Sequence, residues 1–98
     1  MFEIITSNIY DDWFDGLDFS VSKRVDARIS RISLGNFGDC KSVGNGIFEL
    51  RLFFGSGYRI YYAIINGKIV VLLCGGDKSS QSKDISRAKE ILMEYKND

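Results

Sequence analysis

The chain has no histidine, no proline, only two cysteines and a single tryptophan among its 98 residues. Without imidazole, Ser/His/Asp and Cys/His nucleophilic systems and His-ligated zinc are excluded. Any proton transfer must fall to Asp, Glu, Tyr, Lys or Cys. Cys40 and Cys74 lack CxxC spacing and have no histidine to complete a metal set, so both are expected as reduced thiols, with no metal and no cofactor. No apolar run approaches the roughly eighteen residues of a membrane-spanning helix. The start, MFEIITSNIYDDW, lacks the basic, then apolar, pattern of a signal peptide, and a cytoplasmic location is expected.

Hydrophobic residues make up 45% and charged residues 27%, well away from disordered, collagenous or disulfide-dense compositions. The length suits one domain over residues 1–98. Thirteen bases balance thirteen acids, but the neutrality is a cancellation. Residues 1–20 carry Glu3, Asp11, Asp12, Asp15 and Asp18 with no base, whereas all thirteen bases follow, against eight acids. The larger part can therefore carry an anion-binding surface, although solvated helix faces produce similar imbalances.

Phe2 to Ile5 suits a short strand, and Thr6-Ser7-Asn8 offers an N-cap for an acidic helix reaching about Gly16. Val21, Val25, Ile29 and Ile32 recur at helical spacing from near Ser20 or Ser22, with Lys23, Arg24, Arg28 and Arg31 mostly off that stripe and Gly35 as terminator. A glycine-rich loop from Phe37 to Asn45, with a brief strand near Cys40 to Val43, precedes regular β-structure. Ile47 to Phe54 and Tyr58 to Ile65 alternate, Asn66-Gly67 is a strong hairpin signal, and Lys68 to Cys74 continues the sheet, with Ile69, Val71 and Leu73 expected on the core side. A last helix is expected from a Ser79 or Ser80 cap, with Ile85, Ala88, Ile91, Leu92 and Tyr95 as its apolar stripe. The result is an α+β domain: two N-terminal helices, an antiparallel meander and a C-terminal helix, with the helices expected on one sheet face.

Pairing Phe54 with Tyr58 across Gly55-Ser56-Gly57 sets Arg51 opposite Tyr61 and Phe53 opposite Arg59. Glu49, Arg51, Arg59 and Tyr61 then share the non-core face. Two neighbouring arginines repel unless an acid or anion lies between them. One reading is an exposed pair with Glu49; the other is a phosphate clamp, because guanidinium groups contact phosphate bidentately. Gly75-Gly76-Asp77-Lys78-Ser79-Ser80-Gln81 follows a strand and opens a helix, an anion-friendly turn whose spacing is not that of a Walker A loop. Asp11 and Asp12, adjacent on a helix, point apart and make a poor acid-base pair.

Leu34-Gly35-Asn36, Gly46-Ile47-Phe48-Glu49-Leu50-Arg51, Gly57-Tyr58-Arg59-Ile60-Tyr61-Tyr62, Gly75 to Gln81 and Asp84-Ile85 with Ala88 together resemble the HigB-like branch of the RelE/ParE toxin superfamily, the addiction module killer proteins. The resemblance covers about four-fifths of the chain. It implies the RelE-like fold and a toxin of a type II toxin-antitoxin module that cuts messenger RNA, commonly on the ribosome. It also implies a helix-turn-helix antitoxin, with operator DNA reached only through the toxin-antitoxin complex. Arg51 and Arg59 carry over most firmly as catalytic residues, then Lys78 and Tyr61, with Glu49 weakest. Lys41, Lys68, Gln81 and Lys83 are the expected RNA contacts, and Trp13, Arg24, Arg28 and Arg31 the expected antitoxin contacts. The implied reaction is metal-independent attack of a ribose 2′-hydroxyl on its own phosphate, with Lys78, Tyr61 or Glu49 as base. Lacking imidazole, such an enzyme should show no titration near about pH 6.5. ParE-type relatives share the fold but block DNA gyrase, and a non-toxic antitoxin-binding remnant is a third possibility.

Overall fold

The computed structural model describes residues 1–96. Strand β1 (Glu3–Thr6) leads into helices α1 (Asn8–Asp15) and α2 (Phe19–Ser33), then strands β2 (Cys40–Gly44), β3 (Ile47–Leu52), β4 (Tyr58–Ile65) and β5 (Ile69–Gly76). A 3-10 turn (Lys78–Ser80) passes into helix α3 (Gln81–Lys96). β2 to β5 form the antiparallel meander, and β1 lies parallel to β5 at its edge, so the five-stranded sheet, in the order β1-β5-β4-β3-β2, is mixed.

Local chemistry sets the boundaries. Ser7 caps α1 by accepting from the Tyr10 amide at 3.0 Å, while its hydroxyl donates to the Leu73 carbonyl, which ties the helix start to β5. α2 begins at Phe19, one to three residues earlier than its polar residues suggest, with Asp18 at the cap position but making no side-chain bond there. Asn66 and Gly67 both have positive φ, as a tight two-residue hairpin requires. Asn45 and Gly46 do the same between β2 and β3, so the expected loop there is a second hairpin. No described helix is long and apolar enough to cross a membrane.

Both faces of the sheet are covered, which corrects the expectation of helices on one face. Leu50, Leu52, Ile60, Tyr62, Val70 and Leu72 pack against Tyr10 of α1 and Val25 and Ile32 of α2. On the opposite face Ile47, Tyr61, Ala63, Val71 and Leu73 meet Ala88, Ile91 and Leu92 of α3. The side of β5 is also corrected, since Val70 and Leu72, not Ile69, Val71 and Leu73, join the α2 side. Val70 to Leu73 is apolar at every position, so alternation carries no phase there; the phase comes from Tyr62 pairing with Leu72 beyond a bulge.

The β3–β4 register is corrected as well. Arg51 pairs with Arg59, Glu49 with Tyr61 and Leu52 with Tyr58, two residues from the expected alignment. Phe53 and Phe54 leave the strand to widen the loop. A two-residue slip preserves which side chains share a face, so matched apolar faces cannot detect it.

Candidate functional site at the arginine end of the sheet

The C-terminal ends of β3 and β5 and the N-terminal end of β4 meet at one end of the sheet, where Arg51 and Arg59 are direct cross-strand partners. Like charges in that position repel, and two carboxylates answer them. Asp39, just before β2, accepts from Arg51 Nη2 at 3.3 Å, and Glu49 Oε2 lies 3.6 Å from Arg59 Nε. Glu49 is fully buried. A bare carboxylate there would be costly, and it is surrounded by donors: Tyr61 Oη at 3.2 Å and Gln81 Nε2 at 2.8 Å donate to Oε2, while Lys41 Nζ stands 3.9 Å from Oε1. The arrangement leaves Arg51 Nε and Arg59 Nε without a hydrogen-bond acceptor among the described residues.

The backbone under the arginines is fixed from α2. Arg28 donates from Nη1 to the Arg51 carbonyl at 3.0 Å and from Nη2 to the Phe37 carbonyl at 3.3 Å. Arg59 Nη1 donates to the Gly57 carbonyl at 3.0 Å. Gly57 has φ +77°, and a Cβ there would stand 3.6 Å from both Arg59 Nη1 and Lys78 Cβ. That spacing is ordinary contact, so it is the left-handed φ, not the neighbours, that favours glycine here.

The turn after β5 is built by side chains. Asp77 accepts from the Ser79 hydroxyl at 2.6 Å and the Ser79 amide at 2.9 Å, and these bonds, with a further one from Ser56, hold its carboxyl below the usual carboxylate range. Asp77 is therefore the cap of the 3-10 turn that leads into α3. Ser80 donates to Asp84, and a Cβ on Gly76 would collide with that Asp84 carboxylate, so glycine is required at this close approach. Lys78 projects as an exposed amine beside the arginines.

The structure gathers Arg51, Arg59, Lys78, Lys41, Glu49, Tyr61 and Gln81 at this end. Tyr61 is fully buried, and burial first, then the neighbouring Glu49 charge and hydrogen bond, push its phenol well above the ordinary value. Neither side chain reaches solvent: Tyr61 bonds Glu49, and Glu49 lies 3.6 Å from Arg59, an arrangement suited to orienting that guanidinium. The side chains of Arg51 and Arg59 remain 31% and 12% accessible.

Lys83 is exposed on the first turn of α3. Lys68 follows the β4–β5 hairpin at the other end of the sheet, about 20 Å away by strand rise, which removes it from this surface. Arg28 is half-buried, its guanidinium engaged by the Arg51 and Phe37 carbonyls. Trp13 is half-buried with its ring laid on Gly75, where a Cβ would come within 2.4 Å. Arg24 and Arg31 are exposed on α2, with Arg24 over the Phe54 ring at 4.6 Å.

Asp39 was not foreseen: it lies in an irregular glycine-containing loop, and only the neighbouring Cys40–Leu50 pairing brings it to Arg51. Among the described residues no three Cys, Asp or Glu side chains gather as metal ligands. The chemistry on offer is that of an anion cradle: Arg51, Arg59, Lys41 and Lys78, four cations around a buried carboxylate.

A mixed five-stranded sheet with α1 and α2 on one face and α3 on the other is the fold of RelE. The E. coli toxin RelE, solved as a mutant in the free state, superposes with a TM-score of 0.73 at 18% identity, covering 91% of this chain and 95% of that one. RelE in the intact E. coli RelBE toxin-antitoxin complex gives 0.64 at 18% identity over 79% and 96% of the two chains. Residues 12–95 match the phage derived protein Gp49-like family, and the chain belongs to that family. An uncharacterized protein of Haemophilus influenzae is 50% identical over 93 residues, 94% of each chain.

Proposed function

We propose that this protein is the toxin of a toxin-antitoxin pair, of the HigB-like kind, and that it cleaves messenger RNA, with the ribosome as its working surface. The observation that carries the reading is the Arg51–Arg59 cross-strand pair, with buried Glu49 beside Arg59, Asp39 on Arg51 and exposed Lys78 close by. The RelE fold supports the class, and the RelBE complex supports an antitoxin as partner. Exposed Arg24 and Arg31 on α2 offer that antitoxin a basic face.

In the proposed reaction a scissile phosphate displaces the Asp39 carboxylate from Arg51 and spans Arg51 and Arg59. The ribose 2′-oxygen attacks the adjacent phosphorus as its proton leaves, and the bond from phosphorus to the 5′-oxygen breaks. The products are a 2′,3′-cyclic phosphate and a 5′-hydroxyl, which takes up a proton. The arginines neutralise the charge that gathers on the non-bridging oxygens, worth about 10²–10³ in rate for one well-aimed donor. Lys78, the accessible amine beside them, is the proton-transfer group.

The test is to induce the chain in cells and to follow total RNA, ribosome-bound message and plasmid supercoiling. Broken message with cyclic phosphate ends, abolished by Arg51→Ala and Arg59→Ala, supports the nuclease. Intact RNA with gyrase cleavage complexes would instead identify a ParE-like activity, and no growth effect an antitoxin-binding remnant.

A further inference from the structure

Phe53 and Phe54 have opposite fates. Phe54 is tucked against Tyr58, with ring centroids 5.4 Å apart, and is covered by Arg24. Phe53 is 77% exposed, with the Arg51 guanidinium 5.4 Å from its ring centroid. The loop presenting it is ordered by bonds from the Phe54 amide to the Leu52 carbonyl and from the Gly57 amide to the Phe54 carbonyl, each 3.1 Å. An aromatic ring held out of the core by an ordered loop has no packing role to explain it.

Its surroundings are positive. A shallow groove of about 200 Å³ between α2 and this loop is lined by Arg24, Arg28, Arg31 and Ala27 together with Leu52, Phe53 and Phe54, and no acid contributes to it. The Arg51 side chain borders both the Phe53 ring and the Arg59 cradle, so a ligand engaging both needs a flat π-face and an anionic group in close succession. Single-stranded RNA has that alternation, and proteins bind it by pairing cationic grooves with stacking aromatics.

We propose that Phe53 is the stacking platform for a nucleobase flanking the phosphate held by Arg51 and Arg59, with the α2 groove carrying the backbone beyond it. This rests on the RNA-cleaving reading and extends it to recognition. Phe19 is a built-in control, equally exposed at 77% and with Lys23 over its ring at 5.6 Å, but located on α2 rather than beside Arg51.

The experiment titrates the whole chain with a short single-stranded oligoribonucleotide, 2′-O-methylated to block cleavage and carrying 2-aminopurine. Wild type should bind and quench the fluorophore. Phe53→Ala should bind about tenfold more weakly and lose the quench, Phe53→Trp should restore both, and Phe53→Leu should restore neither, while Phe19→Ala behaves as wild type. Equal affinity in Phe53→Ala, or full rescue by Leu, overturns the platform and leaves Phe53 as an apolar contact for a protein partner. Wild-type chain that binds no RNA overturns the platform, while the nuclease reading stands or falls separately on message breakage in cells. Binding lost in Arg51→Ala but intact in Phe53→Ala overturns the platform alone.

Discussion

The two faces of the sheet are made from alternate residues of the same strands, yet they are built for different purposes. Beneath α1 and α2 the strands contribute Leu50, Leu52, Ile60, Val70 and Leu72, with the phenols of Tyr62 and, partly buried, Tyr58. Beneath α3 the apolar run of Ile47, Ala63, Val71 and Leu73 gives way toward one end to Tyr61, Glu49, Arg59 and Arg51. The change falls where α3 begins, since Gln81, its first residue, bonds Glu49. Because strand side chains alternate in direction, charge can accumulate on one face without interrupting hydrocarbon on the other. Each face thus carries its own buried apolar cluster, and charge gathers at one end of the second.

That division is broken most directly by truncation. Leu72→Ala, at a fully buried position, should cost about 2–5 kcal/mol in urea unfolding. Arg51→Ala removes a partly exposed pair with Asp39 and should stay within about 1 kcal/mol of wild type while abolishing toxicity. Equal destabilisation by the two would show that the arginine end is part of the core.

Glu49→Gln asks how far the second face depends on its buried charge. The volume is kept, but Arg59 loses its counter-charge and the oxygen that Tyr61 and Gln81 share belongs to a neutral amide instead of a carboxylate. A loss of about 1–3 kcal/mol is expected, together with a fall in cleavage as Arg59 loses its orientation. Unchanged cleavage would sink the positioning role of Glu49.

Much of this comparison is visible in the sequence. The α2 stripe, the Asn66-Gly67 hairpin and the placing of Arg51 and Arg59 on one face all follow from spacing. Strand register does not, because a slip of two keeps every face intact and only the loop width distinguishes Phe53 inside the strand from Phe53 outside it. The burial of Glu49 was also hidden: a charged residue in an alternating strand suggests solvent, and only α3 crossing to that face closes over it. Asp39 lay beyond reach because loops have no period.

Alkaline titration compares the faces through their acids. Burial raises the phenols of Tyr10 and Tyr62 on the α2 side, raises that of Tyr61 on the other, and pushes the Cys74 thiol up to about 12. These groups hold their protons more tightly when folded, so their contribution is complete below the unfolded values of 9.0 for the thiol and 10.0 for the phenols. Above those values the unfolded chain releases protons first. Stability should then fall by about 1.4 kcal/mol per pH unit for each such group, with no imidazole step at lower pH. Tyr62→Phe should remove one group's share of the slope above pH 10; an unchanged slope would mean that Tyr62 ionises alike in both states.

The smallest effect tests position rather than energy. Lys68 and Lys78 are both exposed amines and flank opposite ends of β5. Neither Ala substitution should shift stability by more than about 0.5 kcal/mol. If RNA is held at the arginine end, Lys78→Ala should weaken binding and lower the slope of log affinity against log salt by about 0.7 for a single-stranded ligand, one phosphate contact fewer. Lys68→Ala should leave both unchanged, because a short oligonucleotide seated on Arg51 does not extend the length of β4. An equal loss from both lysines would mean that the nucleic acid follows the general positive field of the chain and not the cradle at one end of its sheet.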